Sequence, residues 1–315
     1  MRISVLIPSW RRPDELARCL DALNSQSRPP DEVLVVMREG DEPTRKSLEQ
    51  ACPQTFCAHA VHVGVPGAVA ALRAGCNAAS GDVIAVTDDD AAPHPGWLEG
   101  MEAHYRGDAS VGAVGGPDRL RGRPEPIYDP KTVVGRVRWF GSAVGNHHLG
   151  AGAARPVHML KGVNLSVRRA ALEDRWLDDQ LHGEGAQVHW EMALCLALKR
   201  AGWTLVYDPA VVVDHYPAPR FGEDQRGHRS LRALEDEVHN ETYALLRWLP
   251  AWRKPVALAY GLVVGTRKAP GLLSFMERLP HERDRRSLAR RLLAAQRARL
   301  AGLATAWRQG HNPSG

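Results

Sequence analysis

The sequence of 315 residues lacks the features that define several protein classes. Its five cysteines are an odd number without a close Cys-x-x-Cys pair, so neither a disulfide framework nor a zinc site is predicted. The longest apolar run, residues 256–264, is about half of the roughly 20 residues that cross a bilayer. The apolar stretch at residues 3–7 is too short for a signal peptide. We therefore expect a cytoplasmic protein without a membrane-spanning helix or an export signal.

Three glycine-containing motifs are also missing from the sequence. There is no GxGxxG after a strand and no GxxxxGK[ST], which weakens the oxidoreductase and NTPase interpretations. There is no GxSxG elbow, which weakens a hydrolase triad. The formal charge of +5 favours anionic partners such as nucleotides, nucleic acid or anionic lipid. Because no motif that reads RNA or DNA is present, no nucleic acid partner is predicted.

Apolar runs alternate with helical patterns over the first part of the chain. Strands are predicted at residues 3–7, 32–36, 58–63, 82–87 and 111–114, with helices from residue 13 and at residues 44–51 and 68–79. Each parallel strand pair needs a crossover helix, so this alternation predicts an α/β fold: a doubly wound, mostly parallel sheet with helices on both faces. Ligands of such sheets bind beyond the carboxyl ends of the strands.

The second part of the chain is less regular. Residues 117–156 are rich in Gly, Pro, Arg and His and have little periodicity, which is typical of a long substrate-binding segment. A helix is predicted at residues 191–201 and a strand at residues 204–207. The composition then shifts to Arg-rich helical patterns. We expect a catalytic domain over residues 1–220, with halves 1–116 and 117–220, and a basic helical C-terminal extension over residues 221–315.

Acidic residues follow one predicted strand directly. Asp88, Asp89 and Asp90 repel one another unless a cation lies between them, and their oxygen ligands suit Mg²⁺ or Mn²⁺. His215 ends a second apolar run, VVVDH, and an imidazole can complete a Mn²⁺ coordination shell that carboxylates begin. The alternatives are a solvated acidic turn and a structural histidine. If both strand ends meet in one cleft, a divalent metal site is predicted.

Other charged residues are candidates for catalysis or anion binding. Glu191 lies at the start of a predicted helix, where it is either a general base or a carboxylate that the helix dipole stabilises. Arg11, Arg12 and Arg73 are candidates for phosphate or base contacts, because guanidinium groups match phosphate oxygens.

Five segments in order carry a family resemblance. They are VLIPSWRR at residues 5–12, EVLVV at 32–36, ASGDVIAVTDDD at 79–90 with PGWL at 95–98, KGVNLSVRR at 161–169, and residues 194–215. Together they resemble the inverting family 2 glycosyltransferases of the GT-A fold, over roughly residues 1–220. This resemblance implies a transferase that uses a nucleotide-diphosphate-sugar donor and a saccharide or lipid-linked acceptor, in polysaccharide, cell-envelope or glycolipid synthesis.

The resemblance also implies roles for single residues. The expected nucleotide-binding residues are Pro8, Ser9, Arg12, Asp41, Arg73, Asp88 and Asp89. Asp41 follows MRE at residues 37–39, where the family usually has an acidic residue that reads the base, and Asp88 is expected nearer the ribose. Asp90 and His215 are the expected metal ligands. Asn164 and Trp190 are expected near the donor sugar or the acceptor. Trp190-Glu191 stands where the family commonly has Glu-Asp, so Glu191 is the expected base.

The implied mechanism is a single in-line displacement with inversion at the anomeric carbon. Two other classes are open: a nucleotidyltransferase that makes sugar nucleotides, and a non-catalytic basic protein that binds lipid or nucleic acid. The first is weakened because PSWRR at residues 8–12 is not a Gly-rich phosphate loop. The second does not explain carboxylates at strand ends.

The basic C-terminal region predicts a further helix. Residues 283–299 contain many arginines, and their leucines have near-helical spacing: Leu288, Leu292, Leu293 and Leu300. Such a helix either packs on the catalytic domain or makes a peripheral contact with anionic lipid at the inner face of the membrane. The Trp-rich, apolar residues 248–264 would support the second alternative.

Overall fold

The computed structural model describes residues 1–51, 55–122, 129–172, 179–219 and 230–311. The chain divides into two compact units. The first comprises residues 1–136, 144–177 and 201–218, and the second comprises residues 137–143, 178–200 and 219–315. Each unit is built from segments that are distant in sequence. The domain division expected at residue 220 stays a prediction.

The strands and helices follow the predicted alternation. The strands are β1 (Ile3–Ser9), β2 (Glu32–Arg38), β3 (Ala58–Val63), β4 (Val83–Val86), β5 (Ala91–Pro93), β6 (Val111–Gly115), β7 (Asp118–Leu120), β8 (Arg136–Val137), β9 (Ala143–Val144), β10 (Arg155–Pro156), β11 (Leu165–Arg168), β12 (Thr204–Tyr207) and β13 (Val213–His215). The helices of the first unit are α1 (Pro13–Asn24), α2 (Glu42–Gln50), α3 (Ala68–Ala78) and α4 (Trp97–Gly107). Those of the second unit are α5 (Trp190–Arg200), α6 (Leu231–Trp248), α7 (Arg253–Val263), α8 (Leu272–Arg278) and α9 (Arg285–His311).

The first unit contains a large central sheet of eight strands. Their order is β10-β12-β6-β11-β4-β1-β2-β3. β3, β2, β1 and β4 pair in parallel, and so do β6 and β12. β11 is antiparallel to both β4 and β6, and β10 is antiparallel to β12. The mostly parallel α/β fold is thus confirmed.

Helix α1 shows why the local sequence forms this fold. Pro13 occupies the first turn, where a missing backbone N–H costs nothing, and Asp14 and Glu15 interact favourably with the helix dipole there. The helical spacing of its apolar side chains buries one face in the core. The buried residues are Leu16, Cys19, Leu20 and Leu23. They pack with the apolar side chains of β1, β2 and β4.

A second, three-stranded sheet of order β5-β13-β7 lies in the same unit. β13 runs antiparallel to β5, with His215 opposite Ala91, and parallel to β7, with Val213 opposite Asp118. Because β5 begins directly after Asp90, this pairing carries His215 to the acidic cluster.

The second unit is helical. α6 and α9 pack through apolar side chains, and the buried cluster is Leu234, Val238, Ala269, Ala294, Ala295 and Ala298. Of the leucines that predicted a basic amphipathic helix, Leu288 and Leu292 are buried, whereas Leu293 and Leu300 are exposed. The first pair is therefore unavailable for a lipid contact. Across the described ranges, no helix combines the length and the apolar character that crossing a bilayer requires.

Candidate active site

The carboxyl ends of β1 and β4 bring two stretches of the chain together. The two strands are parallel neighbours, with Leu6 opposite Val86. The chain leaves β1 at Ser9 and leaves β4 towards residues 88–90. The loop that follows β1 and the acidic cluster therefore lie at the same edge of the sheet, as expected for a ligand site of this fold.

Asp89 anchors the acidic cluster to that loop. The Oγ of Ser9 donates to Asp89 Oδ2 at 2.8 Å, and Nη1 of Arg12 donates to Asp89 Oδ1 at 2.8 Å. Asp89 is buried, and this burial raises its pKa to about 7 against the opposing charge of Arg12. Ser9, Arg12 and Asp89, all predicted to bind the nucleotide, thus form one bonded group at the base of the site.

Asp90 and His215 lie side by side. Nε2 of His215 is 3.3 Å from Asp90 Oδ1, while the backbone N–H of Ala218 donates to Asp90 Oδ2 at 2.8 Å. Although burial lowers the pKa of His215, the carboxylates of Asp118 and Asp90 raise it to about 9. Burial acts to raise the pKa of Asp90, but His215 and the other partners hold it below the usual value. Each of the two groups therefore favours the ionised form of the other.

Asp88 completes a set of side chains that fits a divalent metal ion. Asp88, Asp90 and His215 each offer one ligand atom, and these atoms lie within 4.8 Å of one another. Within the described ranges, the two buried ring nitrogens of His215 lie 3.3 and 3.6 Å from the carboxylates of Asp90 and Asp118 without forming a well-aligned hydrogen bond. Buried nitrogens without a hydrogen bond are unusual unless another group satisfies them. Two carboxylates and an imidazole are ligands that a divalent metal ion can use.

Asp118 and Lys161 support His215 from the other side. Asp118 is fully buried at the start of β7 and forms an ion pair with Lys161, and its Oδ2 lies 3.6 Å from Nδ1 of His215. A carboxylate behind a ligating histidine orients the ring and increases its basicity. The sequence reasoning missed this role. The available signal was an acidic residue just after the Gly-Gly-Pro end of β6.

Asp41 has a structural role beside the site. It accepts hydrogen bonds from the backbone N–H of Arg11 at 2.7 Å and from the hydroxyl of Thr44 at 2.8 Å, and it caps α2. Arg11 has a φ of 57°, a left-handed conformation that this contact holds in place. Asp41 is buried with these partners, and its predicted contact with the nucleotide base stays a prediction.

Three further residues of the predicted site lie in different structural environments. Pro8 lies in β1 opposite Val36, and Arg73 lies half-buried on α3. Asn164 is fully buried: its amide nitrogen donates to the carbonyls of Pro117 and Val211, and its oxygen accepts from the indole of Trp97. These contacts hold together the segments that carry Asp118 and His215. The Asn164 side chain is thus a buried bridge, and its predicted place near the donor sugar or the acceptor stays a prediction.

Trp190 and Glu191 form the first turn of α5, which belongs to the second unit. Both are partly exposed. The other predicted site residues belong to the first unit. The roles of Trp190 and Glu191 therefore stay predictions.

Solved structures resemble this fold over nearly its whole length. S. aureus TarS 1-349, in complex with UDP-GlcNAc, has a TM-score of 0.62 at 14% identity, with 98% of this chain and 92% of that chain covered. The mannosyltransferase PcManGT from Pyrobaculum calidifontis, in complex with GDP-Man and Mn²⁺, has a TM-score of 0.54 at 20% identity, with 98% and 87% covered. The fold is that of the GT-A glycosyltransferases.

Sequence comparison identifies the family. Residues 1–230 match the profile described as glycosyltransferase like family 2, so the chain belongs to this family and is a glycosyltransferase. Two similar relatives come from Haloferax volcanii. Glycosyltransferase AglE is 28% identical over 224 residues, which is 70% of this chain and 68% of AglE. A glucosyl-dolichyl phosphate glucuronosyltransferase is 28% identical over 149 residues, 45% of each chain.

Proposed function

We propose that the protein transfers a glycosyl group from a nucleotide-diphosphate sugar to an acceptor hydroxyl, with a divalent cation held by Asp88, Asp90 and His215. The observation that carries this proposal is the meeting of these three side chains at the carboxyl end of β4. Relatives of the fold in complex with UDP-GlcNAc or with GDP-Man and Mn²⁺ support a donor and a metal of this class.

The charge balance of the site favours one divalent cation. Arg12 lies 2.8 Å from Asp89 and 3.7 Å from Asp90, so it offsets one of the three carboxylate charges. A divalent cation would offset the other two once it displaces the proton that the carboxylates hold on His215. When bound, this ion supplies Lewis-acid stabilisation of the charge that develops on the leaving diphosphate. Arg12 and Ser9 fix the acidic cluster, and Asp118 orients the imidazole of His215.

Glu191 is the proposed general base. It takes the proton from the acceptor hydroxyl as that oxygen attacks the anomeric carbon, and a single displacement of this kind inverts the configuration. Trp190, the adjacent residue, is the proposed contact for the acceptor or the donor sugar. Both assignments rest on the match of Trp190-Glu191 to the position of the family's catalytic pair.

We also propose a lipid-linked saccharide as the acceptor, in cell-envelope, polysaccharide or glycolipid synthesis. Support comes from the relative whose name specifies glucosyl-dolichyl phosphate, a lipid-linked sugar. This relative aligns with 45% of this chain.

Two variants separate the proposed roles. Asp90→Ala should lose both transfer and metal-dependent nucleotide affinity, because it removes a ligand of the ion. Glu191→Gln should lose about 10²- to 10⁴-fold in transfer rate and keep nucleotide affinity, because the amide binds no proton in the transition state. Radiolabelled sugar transfer and nucleotide titration are measured for each variant. Normal turnover by Glu191→Gln would exclude it as the base.

A further inference from the structure

The second unit carries an apolar surface where α7 meets α8. The turn between these helices is closed by a bridge between Gly265 and Pro270. The N–H of Gly271 donates to the carbonyl of Val264 at 2.9 Å, and the hydroxyl of Ser274 donates to the same carbonyl at 2.6 Å. The first turn of α8 is therefore fixed on the last turn of α7.

Five large apolar side chains of this corner are open to solvent. They are Val263, Val264, Leu272, Leu273 and Met276, with exposures between 37% and 66%, and we call them the α7–α8 apolar surface. None of the seven residues of α8 is buried. Contiguous exposed apolar side chains with a polar rim mark an interaction site.

The segment that carries this surface is strongly cationic. Residues 263–291 contain eight Lys or Arg against three Asp or Glu, a formal charge of +5, which equals that of the whole chain. Arg267 and Lys268 are exposed on the turn between the helices. The guanidinium groups of Arg278 and Arg291 donate to the backbone carbonyl of Arg267 at 2.8 and 2.9 Å, so two further cations lie against the same turn.

We propose that the α7–α8 apolar surface docks on an anionic lipid bilayer, with its aliphatic side chains in the headgroup region and the surrounding cations on lipid phosphates. Exposed aliphatic side chains beside Lys and Arg are the combination that binds such interfaces. A second copy on the same surface would bring two strongly basic regions together, so charge disfavours a self-contact. The site differs from the one expected from sequence, because Leu288 and Leu292 of the basic helix are buried.

This inference goes beyond the proposed transfer reaction and does not depend on the donor or the metal. It would place the enzyme at the surface where a lipid-linked acceptor resides. Binding to vesicles and binding of a nucleotide are measured separately, so either proposal can fail while the other stands.

The test is flotation of the full chain with vesicles. Wild type should float with phosphatidylcholine vesicles that contain about one third phosphatidylglycerol, and much less with pure phosphatidylcholine. Binding should weaken at about 1 M salt, where exposed charges are screened. Leu272→Ser/Leu273→Ser/Met276→Ser should reduce binding at least about tenfold, because the inserted side chains are lost. Arg267→Gln/Lys268→Gln should reduce binding and its salt dependence.

A matched control replaces exposed apolar side chains outside the α7–α8 apolar surface. Val65 and Val133, in the first unit, are 63% and 53% exposed, and Val65→Ser/Val133→Ser should float like wild type. All variants should keep the unfolding midpoint and nucleotide affinity of wild type. Failure of wild type to float, equal binding to neutral vesicles, or unchanged flotation of the triple variant would overturn the proposal. If sedimentation shows a dimer for wild type and a monomer for the triple variant, while flotation is unchanged, the surface binds a second copy of the chain instead.

Discussion

Nε2 of His215 lies 3.3 Å from Oδ1 of Asp90, although the two residues belong to distant parts of the sequence. The cause is the antiparallel pairing of β13 with β5, which sets His215 opposite Ala91, the residue after Asp90. The strand pairing thus positions His215, a proposed metal ligand, beside Asp90 through backbone hydrogen bonds rather than through a flexible loop. Rigid elements hold ligands with the precision that a metal site needs.

Asp118 should tune the affinity for the metal without binding it. Asp118→Asn keeps the size of the side chain but removes the charge that faces Nδ1 of His215, so Mn²⁺ affinity should fall about 10- to 100-fold. Calorimetric titration of Mn²⁺ measures this effect directly. The control is Asp208→Asn, which removes the carboxylate of another histidine pair, 2.7 Å from His104. Equal Mn²⁺ affinity in wild type and Asp118→Asn would rule out the positioning role.

The two side chains that contact Asp89 should contribute unequally to the free energy of unfolding. Arg12→Ala leaves the Asp89 carboxylate buried without its guanidinium partner and should lower the free energy of unfolding by about 3 kcal/mol. Ser9→Ala removes one hydrogen bond and should cost about 1 kcal/mol. Arg11→Ala is the control, because only the backbone N–H of Arg11 bonds to Asp41. Urea unfolding measures the stability of all three variants. A larger loss in Ser9→Ala than in Arg12→Ala would refute this ranking.

Gly116 should tolerate no side chain. A Cβ atom there would lie 1.9 Å from the carbonyl oxygen of Val211 and 2.5 Å from that of Asp208, and neither backbone atom can rotate away. Gly116→Ala should lower the free energy of unfolding by about 1–3 kcal/mol. Gly96→Ala, where nothing lies within 4 Å, should change it by less than about 1 kcal/mol. Equal stabilities of the two variants in urea unfolding would contradict the close approach.

Acidic pH should lower the stability of the second unit, because His239 is held unprotonated in the folded state. Its ring is buried, stacks on His182 and contacts Thr305 Oγ1, and burial lowers its pKa from 6.5 to about 4. As the pH falls below 6.5, the unfolded chain binds a proton that the folded chain does not, so stability decreases until about pH 4. The loss should reach roughly 2 kcal/mol by about pH 5.

The comparison variant for this prediction is His239→Gln, which cannot protonate. Urea unfolding at several pH values should show a smaller decrease in its stability between about pH 6.5 and pH 5 than in wild type. His281→Gln, at an exposed position, should retain the wild-type slope. Parallel pH profiles for wild type and His239→Gln would show that His239 does not titrate in this way.

The sequence predicted the central sheet well because its signal is local. Unbroken apolar runs identified β1, β2, β4 and β6, and helical spacing identified the buried face of α1. Strand direction was less accessible, since the antiparallel β11 has the same apolar character as its parallel neighbours. The acidic cluster and His215 were selected as candidates because both end apolar runs, and the structure brings them together.

Other parts of the site depend on long-range contacts that no local pattern contains. Asp118 lies in a three-residue strand without periodicity. Its role becomes visible only from its contacts with Lys161 and His215. The buried contacts of Asn164, such as its hydrogen bond with the indole of Trp97, were likewise not predictable from its own segment. Periodicity also did not predict that Leu288 and Leu292 are buried. It shows which side of a helix is apolar, but not what that side packs against.

The most direct test of the central claim is calorimetric titration of UDP and GDP with Mn²⁺ or with a chelator present, on wild type and His215→Ala. His59→Ala, on the exposed side of β3, is the control. We predict that Mn²⁺ tightens the binding of at least one nucleotide by about tenfold or more in wild type and His59→Ala, and that His215→Ala loses most of this gain. Nucleotide binding that is indifferent to Mn²⁺ in wild type, or a full gain in His215→Ala, would contradict a metal site at Asp88, Asp90 and His215.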